Sequence, residues 1–166
     1  KELGFDGIDI NMGCPDRSVE KQGAGAALIK NPKLAQSIIH ATKEGASGLP
    51  VSIKTRIGYN KNQIHEWIPA LLDTEPAAIT VHARTRKEMS LVHARWEAID
   101  EVVKLRDDLR SKTLIIGNGD ISSLTEAHER ITQTGADGIM IGRGIFGNPW
   151  FFNPSVNYSE IPLQQR

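Results

Sequence analysis

The chain has 166 residues, of which 39% are hydrophobic and 24% charged, with 20 lysines and arginines balancing 20 aspartates and glutamates. This length supports one domain with a hydrophobic core, and the zero net charge argues against a strongly basic nucleic-acid footprint over the whole segment. No run approaches the ~20 apolar residues of a membrane span. A single cysteine cannot form an internal disulfide, so we expect a cytoplasmic protein without a membrane partner.

Five short runs rich in Ile and Val are predicted to be β-strands. Each is apolar over several residues, which is typical of strands buried on both faces of a sheet. The runs cover residues 5–11, 50–58, 77–85, 113–121 and 137–145.

Helical patterns separate these strands. Asn31 is a plausible N-cap with Pro32 at the first helical position, Pro69 marks a kink or a boundary, and Glu126 is placed for a capping box. The helices are predicted over 32–44, 64–72, 96–109 and from 122 or 123 to 131.

Strands alternating with helices indicate an α/β fold with a parallel sheet. A doubly wound sheet and part of a (β/α)8 TIM barrel both fit, but no GxGxxG follows the first strand, which counts against a Rossmann unit. Polar residues end every strand and favour the barrel, whose functional groups lie at the carboxyl ends of its strands. Both chain ends look cut. We expect residues 1–152 to be the C-terminal five or so βα units, and the polar residues 153–166 to be a linker.

Glycine-rich segments follow the last two strands, at Gly117–Asp120 and Gly142–Gly144. Their backbone N–H groups could approach a phosphate, and Arg143 could add a bidentate contact. The alternative is that these glycines only form tight turns. Their occurrence at consecutive strand ends favours phosphate binding.

Lys54 lies inside an apolar run, where an ammonium group is costly to bury without a partner. It could stabilise negative charge on a cofactor ring, form a Schiff base, or pair with Asp9. His82 ends the next strand and is either structural or functional. Arg56, Arg84 and Arg86 form either a solvated rim or a binding surface for an anionic substrate.

Cys14 follows Gly13 and precedes Pro15, so it lies on a turn that leaves the first strand. No second cysteine or histidine pair at ligand spacing accompanies it, so we expect no metal site. A free cysteine is most often a small buried hydrophobe. A nucleophile and an acid are the functional alternatives, and spacing alone does not separate them.

Five motifs together resemble the dihydrouridine synthase family, flavin enzymes that reduce uridines in tRNA. They are IDINMGCP (8–15), SIKTRIG (52–58), TVHARTR (80–86), IIGNGDI (115–121) and DGIMIGRGIFGNPW (137–150). The resemblance implies a TIM barrel that holds FMN, a reductant that is NADPH or NADH, and a further helical domain that helps to bind tRNA. One departure is Ala83, where many members have Gly.

The resemblance also implies roles for individual residues. Cys14 matches the acid that protonates C5 of the uracil while flavin N5 gives a hydride to C6. Lys54 and His82 match residues that contact the flavin. The remaining matches are the FMN-phosphate region, at Asn118, Gly119, Asp120, Gly142 and Arg143, and the substrate pocket, at Asn11, Arg56 and Arg84.

Three other functions remain open from the sequence. One is an FMN-dependent dehydrogenase of a free pyrimidine, of the dihydroorotate or dihydropyrimidine type. Another is a phosphate-binding barrel lyase or isomerase without flavin, with Lys54 as its base or Schiff-base former. The third is a non-catalytic RNA-binding relic. Half a barrel leaves open sheet edges, so we expect this segment to be marginally stable or inactive unless the missing strands are supplied.

Overall fold

The computed structural model describes residues 4–156 and residue 161. Five parallel strands form one sheet in which spatial order follows chain order. The strands are β1 (Ile8–Asn11), β2 (Val51–Arg56), β3 (Ala78–His82), β4 (Leu114–Asn118) and β5 (Gly138–Met140). A doubly wound sheet reverses its strand order at a switch point. The unreversed order therefore matches consecutive units of a (β/α)8 barrel and confirms the predicted fold class.

The described residues contain five helices, of which the first two lie between β1 and β2 and the other three each join consecutive strands. They are α1 (Arg17–Lys21), α2 (Pro32–Gly45), α3 (Ile64–Leu72), α4 (Trp96–Asp108) and α5 (Leu124–Thr134). Two 3₁₀ turns cover Gly25–Lys30 and Arg143–Ile145. The sequence did not predict α1 or the 3₁₀ turns, because they are too short to show a helical period. Among the helices in the described residues, none is both long and apolar enough to cross a membrane.

The predicted helix caps form as expected. The Asn31 side chain accepts a hydrogen bond from the Leu34 N–H at 3.2 Å, and Ser123 accepts one from the Glu126 N–H at 3.0 Å. Pro69 is not a boundary, because α3 continues past it through Leu72. Several residues of α3 on both sides of the proline are buried in the core, and this packing offsets the hydrogen bond that a proline cannot donate.

The two faces of the sheet differ in their surroundings. Ile53, Ile79 and Ile115 lie on one face and are fully buried against apolar side chains of α2 to α5. The opposite face is open, so that Leu114 is 49% exposed and Met140 37% exposed. The prediction of strands buried on both faces is therefore wrong, since helices cover only one face within the described residues.

Strand register places the predicted functional side chains on the open face. Asn11 pairs with Lys54 across β1 and β2, and His82 pairs with Asn118 across β3 and β4. Arg56 pairs with His82 across β2 and β3. The carboxyl ends of the strands thus bring together polar groups from βα units that are far apart in sequence. Most of the predicted linker, 153–166, lies outside the described residues, and the proposed domain division stays a prediction.

Candidate active site at the carboxyl ends of the strands

Lys54 of β2 and Asn118 of β4 are joined by a hydrogen bond on the open face. The ammonium Nζ of Lys54 donates to Oδ1 of Asn118 at 3.2 Å. The Asn118 amide in turn donates through Nδ2 to the Met140 carbonyl at 2.8 Å, which fixes its orientation. Asp9, the partner considered for Lys54, instead accepts a hydrogen bond from the Ser52 hydroxyl at 2.7 Å. Lys54 therefore has a neutral partner rather than an ion pair.

The surroundings of Lys54 disfavour its charged form. Partial burial is the main cause that lowers the pKa of Lys54, and the nearby Arg56 lowers it further, while Asp9 acts in the opposite direction. An ammonium whose charge is so weakly compensated can stabilise an electron-rich or anionic ligand placed on this face.

His82 is neutral at physiological pH. Burial and the positive charges of Arg56, Lys54 and Arg84 lower the pKa of His82 to about 3, although Asp120 opposes the shift. Nη1 of Arg84 lies 3.0 Å from Nε2 of the imidazole. His82 therefore acts as an uncharged hydrogen-bonding group and not as a cation.

Arg84 and Asp120 form an ion pair below this histidine. The Arg84 side chain is only 3% exposed, and its Nε donates to the Val92 carbonyl at 2.6 Å. Asp120 also accepts a hydrogen bond from the Ala94 N–H at 2.9 Å, and Arg143 lies 3.4 Å from its other oxygen. Although burial opposes it, the hydrogen bonds from Arg84 and Ala94 hold the pKa of Asp120 below its usual value. The carboxylate is thus charged and neutralised by two guanidinium groups.

Arg56 links two loops that are distant in sequence. Its Nε donates to the Gly13 carbonyl at 2.8 Å, and its Nη1 donates to the carbonyls of Thr85 and Met89 at 3.1 and 2.9 Å. Because Arg56 is only 7% exposed, the interpretation of these arginines as a solvated rim is wrong for it, as it is for Arg84. Arg86 pairs with Glu20 of α1. Substrate binding by Arg56 and Arg84 stays a prediction.

Cys14 lies in the turn after β1 and is half-buried. The Asn11 side chain accepts hydrogen bonds from the N–H groups of Gly13 and Cys14 at 3.0 and 2.9 Å. The Cys14 carbonyl accepts one from the Ala26 N–H at 2.9 Å. A Cβ on Gly25, whose φ is +59°, would lie 2.7 Å from that carbonyl oxygen. Asn11 thus shapes the turn that holds the thiol, and its predicted contact with substrate stays a prediction.

The loops after β4 and β5 border a cleft of about 510 Å³ that also contains His82 and Asn118. Among the described residues, the N–H groups of Gly119, Asp120 and Gly142 have no hydrogen-bond acceptor. Gly119 has a φ of +136°, and a Cβ there would lie 2.7 Å from the Ala94 Cβ, so the position requires glycine. Free N–H groups beside Arg143 form a suitable cradle for an anion.

The sequence did not identify several residues that shape this site. They contribute through the close approach of another atom or through a backbone group, and the residue type alone reveals neither. These residues are Gly25, Val92 and Ala94. Within the part of the chain that the structure describes, no three His, Cys, Asp or Glu side chains are placed to hold a metal ion.

Comparison with known proteins connects this arrangement to one family. Residues 1–164 match the family model described as "Dihydrouridine synthase (Dus)". A "Probable tRNA-dihydrouridine synthase" of Staphylococcus aureus (strain Mu50 / ATCC 700699) is 47% identical over 152 residues, which are 91% of this chain and 46% of the relative. A "Probable tRNA-dihydrouridine synthase 2" of Bacillus subtilis (strain 168) is 49% identical over 152 residues, with the same coverage.

The chain thus spans about half the length of the curated relatives that it matches. A crystal structure of 2,3-dimethylmalate lyase, a member of the PEP mutase/isocitrate lyase superfamily, is similar with a TM-score of 0.54 over 83% of this chain and 50% of that one. At 17% identity this likeness concerns the fold alone. The family model and the relatives agree with each other, and the chain belongs to the dihydrouridine synthase family.

Proposed function

We propose that this chain forms part of a tRNA-dihydrouridine synthase, which reduces uridine in tRNA to 5,6-dihydrouridine with FMN as its bound cofactor and NADPH or NADH as its reductant. One observation carries the proposal. Cys14, Lys54 and His82 converge with a set of free backbone N–H groups at the carboxyl ends of five consecutive strands. Relatives that are 47% and 49% identical to this chain over 152 residues bear names that describe the same activity.

The residues present fit a phosphorylated, electron-rich ring cofactor. The free N–H groups of Gly119, Asp120 and Gly142 suit a phosphate, and no atom lies within 4 Å of the space that a Cβ on Gly142 would occupy. The carboxylate of Asp120 is already neutralised by Arg84 and Arg143, so it does not repel an anion there. Arg143 is 65% exposed and can turn toward a phosphate.

Lys54 and His82 would contact the ring of the cofactor. When bound, FMN supplies the electrons that reduce the C5–C6 bond of the uracil. The Lys54 ammonium stabilises negative charge on a ring placed over the open face, because partial burial and the nearby Arg56, which lower the pKa of this lysine, leave its charge poorly compensated. Asn118 orients the ammonium through the hydrogen bond to Oδ1.

Cys14 is proposed as the general acid. Its thiol donates a proton to C5 of the uracil, which completes the saturation of the C5–C6 bond. The turn that carries the thiol is held by Asn11, by the Ala26 N–H and by Arg56, so the backbone of Cys14 has a defined place beside β2. A thiol held in this way is oriented before the base arrives, which reduces the entropy lost in reaching the reactive geometry.

The target uridine must leave the folded structure of the tRNA to reach the thiol of Cys14. A uridine stacked within folded RNA cannot contact a group at the carboxyl ends of the barrel strands. The base is therefore extruded from the RNA into the pocket. The relatives are about twice as long as this chain. We assign the remaining barrel strands and much of the tRNA binding to the parts of the relatives that lie outside the match with this chain.

The test uses a protein that contains this chain together with the rest of its barrel. The bound flavin is reduced without oxygen, unmodified tRNA is added, and the flavin absorbance is followed in wild type and in Cys14→Ala. Rapid reoxidation by tRNA, slowed by about 10²-fold or more in Cys14→Ala, is the expected result. Tight FMN binding without reoxidation by tRNA contradicts the proposal and directs the search to free pyrimidines. A protein that binds no FMN contradicts it as well.

A further inference from the structure

His82 is held at one ring nitrogen by a group that cannot accept a hydrogen bond. Nη1 of Arg84 lies 3.0 Å from Nε2 of His82. A guanidinium group only donates, so Nε2 must offer its lone pair and the ring proton must lie on Nδ1. This contact is satisfied only by a neutral imidazole whose proton lies on Nδ1.

Arg84 has little freedom to turn away from the histidine. Its Nε donates to the Val92 carbonyl at 2.6 Å, and its Nη2 pairs with Asp120. Asp120 is itself fixed by the Ala94 N–H at 2.9 Å. Each nitrogen of the buried guanidinium group therefore has a partner, and the one facing His82 is held in place by the other two.

Three of the four charges near the ring disfavour its protonated form. Arg56, Lys54 and Arg84 are cations near His82, and the carboxylate of Asp120 is the one anion among these neighbours. A protonated imidazole would add a further positive charge at this place, which the arrangement disfavours.

The other ring nitrogen faces no protein partner. Within the described residues, nothing accepts or donates a hydrogen bond at Nδ1 of His82. His82 lines the cleft of about 510 Å³ beside Asn118 and Gly119. An N–H on Nδ1 is therefore free for a ligand on the open face of the sheet, the face on which Lys54 also lies.

We propose that Arg84 is a positioning residue that locks His82 as the neutral Nδ1–H tautomer, so that His82 presents a hydrogen-bond donor to an acceptor atom of the bound ring. This role of Arg84 rests on the proposed function only for the identity of the bound ring. Arg84 acts through His82 in this proposal, and not by contact with the substrate. His82 and Lys54 then offer donors alone, and a ring that presents acceptors at this edge is selected over one that presents donors.

The tautomer can be measured without cofactor, tRNA or turnover. Long-range ¹H–¹⁵N correlation spectra of histidine-labelled protein distinguish Nδ1–H, Nε2–H and charged rings, and His82→Asn assigns the signal. We expect wild type to show Nδ1–H alone and to stay unchanged between about pH 8 and pH 5. Arg84→Met should lose the single tautomer, so that both forms appear or the ring titrates in this range.

Arg95→Met is the matched control, because Arg95 lies at the end of the same loop and pairs with Glu88, not with His82. Its spectrum should keep the wild-type His82 signal. Arg84→Lys retains a donor and should retain the tautomer in part. If Arg84→Met fails to fold, the spectra of wild type and of Arg84→Lys still show whether Arg84 fixes the tautomer of His82.

An Nε2–H or charged His82 in wild type at about pH 6 overturns the inference. So does an Arg84→Met spectrum identical to that of wild type. A protein with the expected tautomer that does not reduce tRNA keeps this inference and contradicts the proposed function, so the two failures are separate.

Discussion

Nε of Arg56 donates a hydrogen bond of 2.8 Å to the carbonyl of Gly13, the residue directly before Cys14. The same guanidinium group reaches the carbonyls of Thr85 and Met89. A single buried side chain thus ties the turn that carries the thiol to the loop after β3. Arg56 therefore positions the turn of Cys14 relative to the loop that follows His82.

Replacing Arg56 should misplace the thiol without removing it. Arg56→Met leaves three carbonyls without their donor, and we expect the rate of tRNA reduction to fall by about 10- to 10²-fold. FMN binding should change little, because the phosphate cradle lies on other strands. Single-turnover reoxidation of the flavin by tRNA, together with FMN titration, measures both quantities.

Arg106→Met provides the control for Arg56→Met. Arg106 is also a largely buried arginine that donates to a backbone carbonyl, that of Thr113, but it lies on α4 beside Asp107 and Asp137. The Arg106→Met substitution should lower the thermal stability of the protein and leave the rate of flavin reoxidation in the folded protein unchanged. Equal loss of rate in both variants would show that Arg56 acts on stability alone.

Gly119→Ala should weaken FMN binding and destabilise the protein. The φ of +136° is unfavourable for any residue with a side chain, and the new Cβ would lie 2.7 Å from that of Ala94. We expect a loss of about 1–3 kcal/mol in unfolding free energy. Urea denaturation and FMN release on dilution are the measurements. Gly45→Ala, at the end of α2 where a Cβ meets nothing within 4 Å, should leave both unchanged or stabilise the helix.

Stability should fall as the pH is lowered from about 7 to about 5 because of His82. Its folded pKa of about 3 lies below the ordinary histidine value of 6.5, so the unfolded chain binds more protons in this range and protonation favours unfolding. Asp120 and Glu88 have lowered pKa values, and their contribution is lost only at more acidic pH. Denaturant midpoints at the two pH values should differ less in His82→Gln than in wild type. An unchanged difference would mean that His82 is not the group responsible.

Glu88→Gln should loosen the loop after β3. Burial opposes ionisation of Glu88, yet the hydrogen bonds from Arg95 and from Thr85 lower its pKa to about 2. Both carboxylate oxygens accept from Arg95 at 2.7 Å, and Oε2 also accepts from the Thr85 N–H at 2.8 Å. We expect a loss of about 1 kcal/mol in urea unfolding, since the pair is partly exposed.

Asp100→Asn is the comparison for Glu88→Gln. Asp100 pairs with Lys104 four residues along α4, and the lysine is well exposed. Such surface pairs contribute about 0.5 kcal/mol or less. Equal effects of the two substitutions would contradict a structural role for the Glu88 contacts.

Local sequence signals predicted the helix starts and the strands because their causes are local. Asn31 and Ser123 accept from N–H groups three residues on, so the capping pattern is readable in a few letters. The positions of Lys54, His82 and Asn118 followed from the strand ends and the parallel topology. Their specific contacts, such as the neutral partner of Lys54, depended on the register.

What the sequence could not predict arises from contacts between distant segments. The carbonyls that Arg56 binds lie 43, 29 and 33 residues away. The need for glycine at position 25 comes from the Cys14 carbonyl, which no local pattern reveals. The exposure of one sheet face also depends on which other segments cover it. An apolar run in the sequence does not reveal whether one face or both faces of the strand are covered.

The order of the strands has a consequence for synthesis. The thiol belongs to the first βα unit of this chain, the ammonium and imidazole groups to the next two, and the anion cradle to the last two. Chains emerge from the ribosome in this order, and N-terminal segments begin to fold first. A nascent chain would therefore form the turn of Cys14, the proposed acid, before the loops that we propose to bind phosphate, so capture of the proposed cofactor would mark the completion of this part of the protein.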